Sequence, residues 1–290
     1  MIFYKTVSSG NDFLHIAVED LAEFLRLCPG QAPGVTDLSK SSKGRLAELL
    51  CQRHSGAGAD GIIYYSLRSL RETEINFEIF NRDGTEAELS GNGMAGLSAL
   101  MFYLGLFKDQ LVLNTHTGPK THFLLHQDGR NFQLKIEIGK PVFHNTDFFP
   151  FLEPNKLVYT FEDIRFHPVS VGNPHAVVVL EKELLDDELE RMGNVLESAD
   201  IFPKRTNVEL VYYKDRENNR VFYYERGVGR TLSSSTGSAA VFAVLQKLDL
   251  LKGPDPLTIK TPDGKIKIYG NGSIYIENFS KIVYKGILLG

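Results

Sequence analysis

Cysteine is scarce in this chain. Among 290 residues there are two, Cys28 and Cys51, too few for a disulfide scaffold and without C-x-x-C or metal-ligand spacing, which suits a reducing compartment. An excess of positive charge is also missing: 32 Lys and Arg face 36 Asp and Glu, for a net charge of −4, so the basic face expected of a nucleic-acid binder is not there. No window reaches the ~18 uncharged apolar residues of a membrane span. The N-terminal MIFYKTVSSGNDFLHI lacks the basic and apolar regions of an export signal. The expectation is a cytoplasmic protein with neither membrane nor nucleic acid as partner. Eight histidines show no H-E-x-x-H or paired spacing, so no metal site is expected. What is plentiful is apolar residue, 42% of the chain, ample for packed cores over a length that fits about two domains.

The sequence contains itself twice. VSSGNDFLHIAV from Val7 pairs with VSVGNPHAVVVL from Val169, 162 residues on, and SGNGMAG…YLGLFK from Ser90 pairs with SSTGSAA…KLDLLK from Ser234, 144 on. LVLNTHTG from Leu111 pairs with LTIKTPDG from Leu257, 146 on, and IIYYS near residue 64 is echoed by LVYYK near 212. Four segments in one order, with offsets that drift as loop lengths would make them, indicate duplication. Each half reads as β-rich, with strand-like INFEIF, QLKIEI, AVVVL, VELVYY, RVFYYE, IKIYG and SIYIE. Helix-like runs cover 94–106, 238–250 and, shorter, 44–53. The first two are apolar at nearly every position, which predicts helices buried all round, as a sheet wrapped about a helix would bury them. The stretch 140–162, with three prolines and no clear period, is expected to connect the halves.

Both long helices follow a serine in a bed of small residues. A helix start presents amides without internal acceptors and a partial positive charge, suited to a carboxylate or phosphate, and Gly91, Gly93 and Gly237 would let backbone approach a ligand. If the halves face each other, Ser90 and Ser234 would flank one bound molecule, with a proton leaving one face of a carbon and arriving at the other. Serine is equally a favoured helix N-cap, and spacing alone leaves capping and catalysis both open. GAGADG at 56–61 fits G-x-G-x-x-G but follows a helix and precedes a strand, the reverse of a dinucleotide fingerprint. Cys51, on an apolar helical run, reads as a small core residue.

In order along the chain, GNDF, RHSGAGADG, FNRDGTEAELSGNG, VGNPH, FPKRTNVELV and YERGVGRTLSSSTGSAA resemble the motifs of the diaminopimelate epimerases, from about Val7 to the C-terminus. The resemblance implies a cytoplasmic, cofactor-independent isomerase, often a homodimer, that interconverts LL- and meso-diaminopimelate. It implies an α+β fold of two pseudo-symmetric domains, each a central helix wrapped by a curved sheet, with the last strand returning to the first domain. Here the domains would be 1–130 plus 279–290, and 131–278. Carried over residue by residue, Asn11, Asn81, Asn173 and Asn207 match substrate-binding asparagines, and Glu225 and Arg226 match the charged pair of the ERG motif. Arg226 would fork onto the distal carboxylate. Amides at Gly91, Asn92, Ser235 and Thr236 would hold the reacting carboxylate, with His175 and Glu225 beside the reacting groups. The departure falls on the chemistry: the family carries a cysteine where this chain has Ser90 and Ser234, a glycine where it has Ser235, and usually an acid where it has Arg230. Two further readings stay open, an amino-acid-binding homologue without catalysis and an isomerase of another amino acid.

Overall fold

The computed structural model describes residues 1–30, 32–66, 74–251, 253, 256–261, 264–270 and 272–289. Lys252, Pro262 and Asp263, which fall inside the repeated segments, lie outside them. The chain forms two compact units, residues 1–136 with 278–290, and residues 137–277.

The first unit begins with a hairpin of β1 (Ile2–Ser8) and β2 (Asn11–Ala17), paired from Tyr4↔His15 to Ser8↔Asn11. Its two-residue loop, Ser9 and Gly10, has positive φ at both positions, 46° and 90°, the backbone twist that two-residue hairpins favour. That turn fixes Asn11 as the first residue of β2. Two helices follow, α1 (Val18–Leu27) and α2 (Lys40–Leu50), then β3 (Gly61–Tyr65), β4 (Glu74–Asn81) and the short β5 (Glu86–Ala87). After α3 (Gly91–Tyr103) come β6 (Gln110–Thr115), β7 (Gly118–Asp128) and β8 (Asn131–Gly139). β2 runs parallel to β3, β3 antiparallel to β4, and β4 antiparallel to β5.

The second unit repeats that plan. It holds β9 (Tyr159–Phe161), β10 (Ile164–Ser170), β11 (Pro174–Leu180), α4 (Asp186–Glu197), β12 (Asn207–Tyr213), β13 (Asn219–Glu225) and β14 (Gly229–Thr231). Then follow α5 (Ser235–Lys247), β15 (Leu257–Thr261), β16 (Gly264–Tyr269) and β17 (Ile274–Ile287). The pairings β10–β11 antiparallel, β11–β12 parallel, β12–β13 and β13–β14 antiparallel match those of β1 to β5 in order and sense. Each unit is thus a version of the other, as the internal repeat predicts. β17 pairs with β16 through Tyr275–Glu277 and with β1 from Ser280 to Ile287.

Each unit is built about one helix. From Gly91 to Phe102 every residue of α3 is buried, and from Ser235 to Leu245 every residue of α5 is. Helices without a polar face are stable only when enclosed on all sides, and the strands supply the enclosure: α3 packs on β1, β2 and β7, α5 on β10, β11, β12 and β16. The approach is close enough to dictate glycine. A Cβ on Gly96 would lie 2.4 Å from Thr6 Oγ1. Strands with a helix on either face are apolar throughout rather than alternating, and β2 is buried from Asp12 to Ala17 because α1 and α2 cover its other side with Leu21, Phe24, Leu46 and Leu50.

Three expectations are corrected. The helices begin three or four residues before the apolar runs, because the small residues Gly91–Gly93, Ser235–Gly237 and the Lys40–Lys43 turn are helical rather than loop. α1 and α4 escape the apolar pattern: α1 follows β2 without a break, and α4 buries little besides Leu189 and Leu196. The stretch 140–162 is no mere connection. Phe149 is fully enclosed in the outer core of the second unit, its ring edge-on to Phe148, Phe151 and Phe202. Among the described residues no helix is long and apolar enough to cross a membrane.

Candidate active site

The two repeated loops become two helix starts of one geometry. Ser90 is the N-cap of α3, with φ −138° and ψ 113°, and its Oγ accepts from the amide of Gly93 at 3.1 Å. Ser234 is the N-cap of α5, with φ −142° and ψ 124°, and its Oγ accepts from Gly237 at 3.2 Å. Both main-chain oxygens then accept the first helical bond, from Met94 and Ser238, each at 2.9 Å. Capping is therefore real at both serines. Gly91, Asn92, Ser235 and Thr236 occupy the first two helical positions, where a helix offers no internal acceptor to the amide, and the partial positive charge of the axis is greatest there.

In the first unit the hairpin residue Asn11 reaches this start directly. Its Oδ1 accepts from Asn92 Nδ2 at 2.7 Å, and Asn92 Oδ1 accepts in turn from Asn278 Nδ2 at 3.0 Å. Asn278 Oδ1 takes the Ser9 hydroxyl at 2.6 Å. Behind Asn11 stands a charged layer: its Nδ2 donates to Asp60, and Arg53 bonds both oxygens of Asp12 and one of Asp60. Burial pushes the Asp12 carboxyl up, but bonds from Arg53 and from Lys5, 2.8 Å away, outweigh it and hold the group below the usual range. The GAGADG stretch thus supplies Asp60, which orients an asparagine. Asn81 is not part of this chain: at the end of β4 it donates to Thr85 Oγ1 at 3.0 Å, within its own turn.

The second unit places Asn173 where the repeat predicts, with Nδ2 3.4 Å from Thr236 Oγ1, the counterpart of Asn11 on Asn92. Titratable groups gather here. His175 and Glu209 are wholly enclosed, Nδ1 to Oε1 2.8 Å, and His175 Nε2 lies 2.9 Å from Asn173 Oδ1. His175 is therefore engaged with Glu209 and Asn173, whereas Glu225 meets Ser234. Burial pushes the Glu225 carboxyl up and the Glu209 charge adds to this, while the hydroxyls of Thr231 and Ser234 and the His175 ring pull it back. Asn207, paired with His175 across β11 and β12, donates to Pro174 O at 2.8 Å and accepts from the main-chain amide of Arg226 at 3.0 Å. The Arg226 guanidinium donates to Lys204 O at 3.2 Å. Glu197 holds the turn after it by accepting from Gly227 N at 2.9 Å. Arg230 points elsewhere, to Asp186 at 2.7 Å on α4.

Sequence reasoning passed over Glu209, Asn278, Asp60 and Arg53. Glu209 had a signal: it is an acid inside TNVELV, where buried parallel strands are apolar. Asn278 lies outside the four repeated segments, so the repeat did not single it out. The thiols do not replace the serines. Cys51 caps the end of α2, and burial pushes its thiol up to about 12; Cys28 ends α1. Among the described residues no group of His, Cys, Asp and Glu is disposed to hold a metal ion.

Comparison with known proteins places the motifs in a family. Residues 3–144 and 168–279 match the family model described as diaminopimelate epimerase. A diaminopimelate epimerase of Methanothermobacter thermautotrophicus is 30% identical over 301 residues, covering 100% of this chain and 99% of that one. One from Alkaliphilus metalliredigens is 28% identical, covering 99% and 97%. Among solved structures, a hydroxyproline epimerase from Agrobacterium vitis superposes with a TM-score of 0.66 at 15% identity, covering 99% of this chain and 91% of that one. That likeness is one of fold.

Proposed function

The chain belongs to the diaminopimelate epimerase family, and from that premise we propose that it is a cofactor-independent isomerase that inverts one α-carbon of diaminopimelate between the LL and meso forms, with Ser90 and Ser234 in the places of the family's thiols. The observation that carries this reading is the matched pair of helix starts: two serines in one cap geometry, on equivalent turns, each ahead of amides suited to a carboxylate. In this reading Gly91, Asn92, Ser235 and Thr236 hold the reacting carboxylate. Asn11 and Asn173 set its approach, and Asn81, Asn207 and Arg226 take the distal end. A smaller amino acid carries no second carboxylate for the Arg226 fork to take, which favours diaminopimelate over another substrate.

Turnover is slow, and the reason is acidity. A thiol near pKa ~8.5 can be drawn to neutral at a helix start. An alcohol lies several units higher, at about 1.4 kcal/mol of populated base for each unit. Among the described residues Ser234 alone has help within its own unit: the Glu225 carboxyl beside it is pushed up by burial, hence the stronger base, and can take the hydroxyl proton as the α-proton is drawn away. Incubation with LL- or meso-diaminopimelate in D₂O is the test. Deuterium at the α-carbon above the level of a Ser90→Ala control supports the reading. Calorimetric binding without exchange would make the chain a silent binder, and neither binding nor exchange would remove diaminopimelate as its ligand.

A further inference from the structure

Glu209 is a carboxylate in a strand whose first five residues are buried. Two residues after Asn207, which pairs with His175, it shares the face of β12 that meets the ring. One oxygen contacts His175 Nδ1 at 2.8 Å; the other, Oε2, has no hydrogen-bond partner among the described residues. An enclosed carboxylate is expensive unless something uses it. The first turn of α5 is shaped around it: a Cβ on Gly237 would stand 2.5 Å from Glu209 Oε1 and 3.0 Å from the Tyr223 ring. Among the described residues the ring also meets Asn173, at Nε2, and the charge of Glu225 on β13.

Resting on the reading above, in which His175 and Glu225 flank the reacting groups, we propose that Glu209 is a positioning residue: its carboxylate accepts from His175 Nδ1–H, fixes that tautomer and ring orientation, and leaves Nε2 as the nitrogen that can exchange a proton. A carboxylate oxygen only accepts, so the hydrogen of this contact belongs to Nδ1; Asn173 Oδ1 is an acceptor as well, and Nε2 bonds it only while it carries the proton it exchanges. The same charge also acts on Glu225 and pushes that carboxyl up. One buried acid therefore serves two groups, His175 through a bond and Glu225 through its field. Gly237 has no side chain because a methyl there would displace it.

The test is NMR of the ¹⁵N-labelled full chain, with the His175 ring assigned by His175→Gln. The parent should show a downfield Nδ1–H resonance. It should move far upfield or vanish in Glu209→Gln, whose amide can donate to Nδ1 and invert the tautomer, and return in part in Glu209→Asp. An unchanged ring signal in Glu209→Gln, or a parent ring protonated at Nε2 alone, overturns the assignment. Deuterium exchange at the α-carbon on the same samples should fall on the order of a hundredfold in Glu209→Gln with KM little changed; an unaltered rate overturns the positioning role. A parent with the expected ring signals but no exchange removes the isomerase reading and leaves the His175–Glu209 pair standing. Should Glu209→Gln fail to fold, Glu209→Asp decides, because a shortened acid must weaken the downfield resonance.

Discussion

The start of α3 and the start of α5 are the same object in backbone terms and different objects in electrostatic ones. Their caps agree within about 11° in φ and ψ and 0.1 Å in the cap bond. Around α3, however, Asn11, Asn92 and Asn278 form a chain of amides, backed by an ion network that is already neutralised. Around α5, three titratable side chains, His175, Glu209 and Glu225, crowd the first turn. Duplication preserved the turn that makes a cap, which is a local property. The polar filling behind each cap diverged, and proton chemistry follows the filling.

The largest effect should come from restoring thiols. Ser90→Cys together with Ser234→Cys should raise α-carbon exchange by on the order of several powers of ten, since each pKa unit recovered is worth about 1.4 kcal/mol. Made singly, Ser90→Cys should gain more, because Ser234 alone has Glu225 beside it. Equal gains from the two single changes would break the asymmetry.

Acid should separate the units next. His15 and His122, both enclosed beside α3, are depressed by burial to about 3. The unfolded chain, with histidines near ~6.5, binds more protons than the native one below that pH. The contribution of each is complete above ~6.5 and is lost as pH falls from there toward 3, on the order of 3 kcal/mol apiece by pH ~4. Glu225 in the second unit has the opposite sign: its raised carboxyl ionises at a cost in the folded state, and that cost is relieved as pH falls. Hydrogen exchange followed from pH 7 to 4 should therefore show the strands of the first unit opening before those of the second. Simultaneous opening would count against these histidines as the cause.

Glycine substitutions sharpen the same contrast. Gly237→Ala brings a methyl onto the Glu209 oxygen at 2.5 Å, and that side chain is enclosed and tied to His175. A loss of about 1–3 kcal/mol is expected in chemical denaturation. At the equivalent Gly93 the nearest atom is Ile63 Cδ1 at 3.1 Å, a methyl end that can shift, and alanine's helix propensity offsets much of the strain, leaving the change within about 1 kcal/mol. Smallest of all, Ser90→Ala and Ser234→Ala should each lower stability by ~1 kcal/mol as lost caps, with matching shifts in Tm. A twofold difference between them would show that one hydroxyl is held by more than capping.

Much of the fold was legible because it depends on short-range pattern. The repeat VSSGN/VSVGN announced the duplication, and the unbroken apolar runs of α3 and α5 announced two enclosed helices. α1 and α4 stayed hidden because a helix lying on the outside of a sheet needs only a few apolar contacts, and Leu21 with Phe24, or Leu189 with Leu196, is too sparse a signal. At the site, the serines, Asn11, Asn92, Asn173 and His175 could be named from the repeat and from family motifs. Glu209 could not be assigned a partner, since its contact with His175 arises from the register of two parallel strands far apart in the chain.

By itself, then, the sequence determined the duplication, the two serine caps and the absence of thiols at those caps, because each is written in residues close together along the chain. The tertiary structure alone decided which side chains face each serine: Glu225 beside Ser234, a ladder of amides beyond Asn92, and His175 bound to Glu209. Those neighbours come from strands brought together by pairing and burial, and the acidity of a group is set by the charges and enclosure around it, which no stretch of sequence carries.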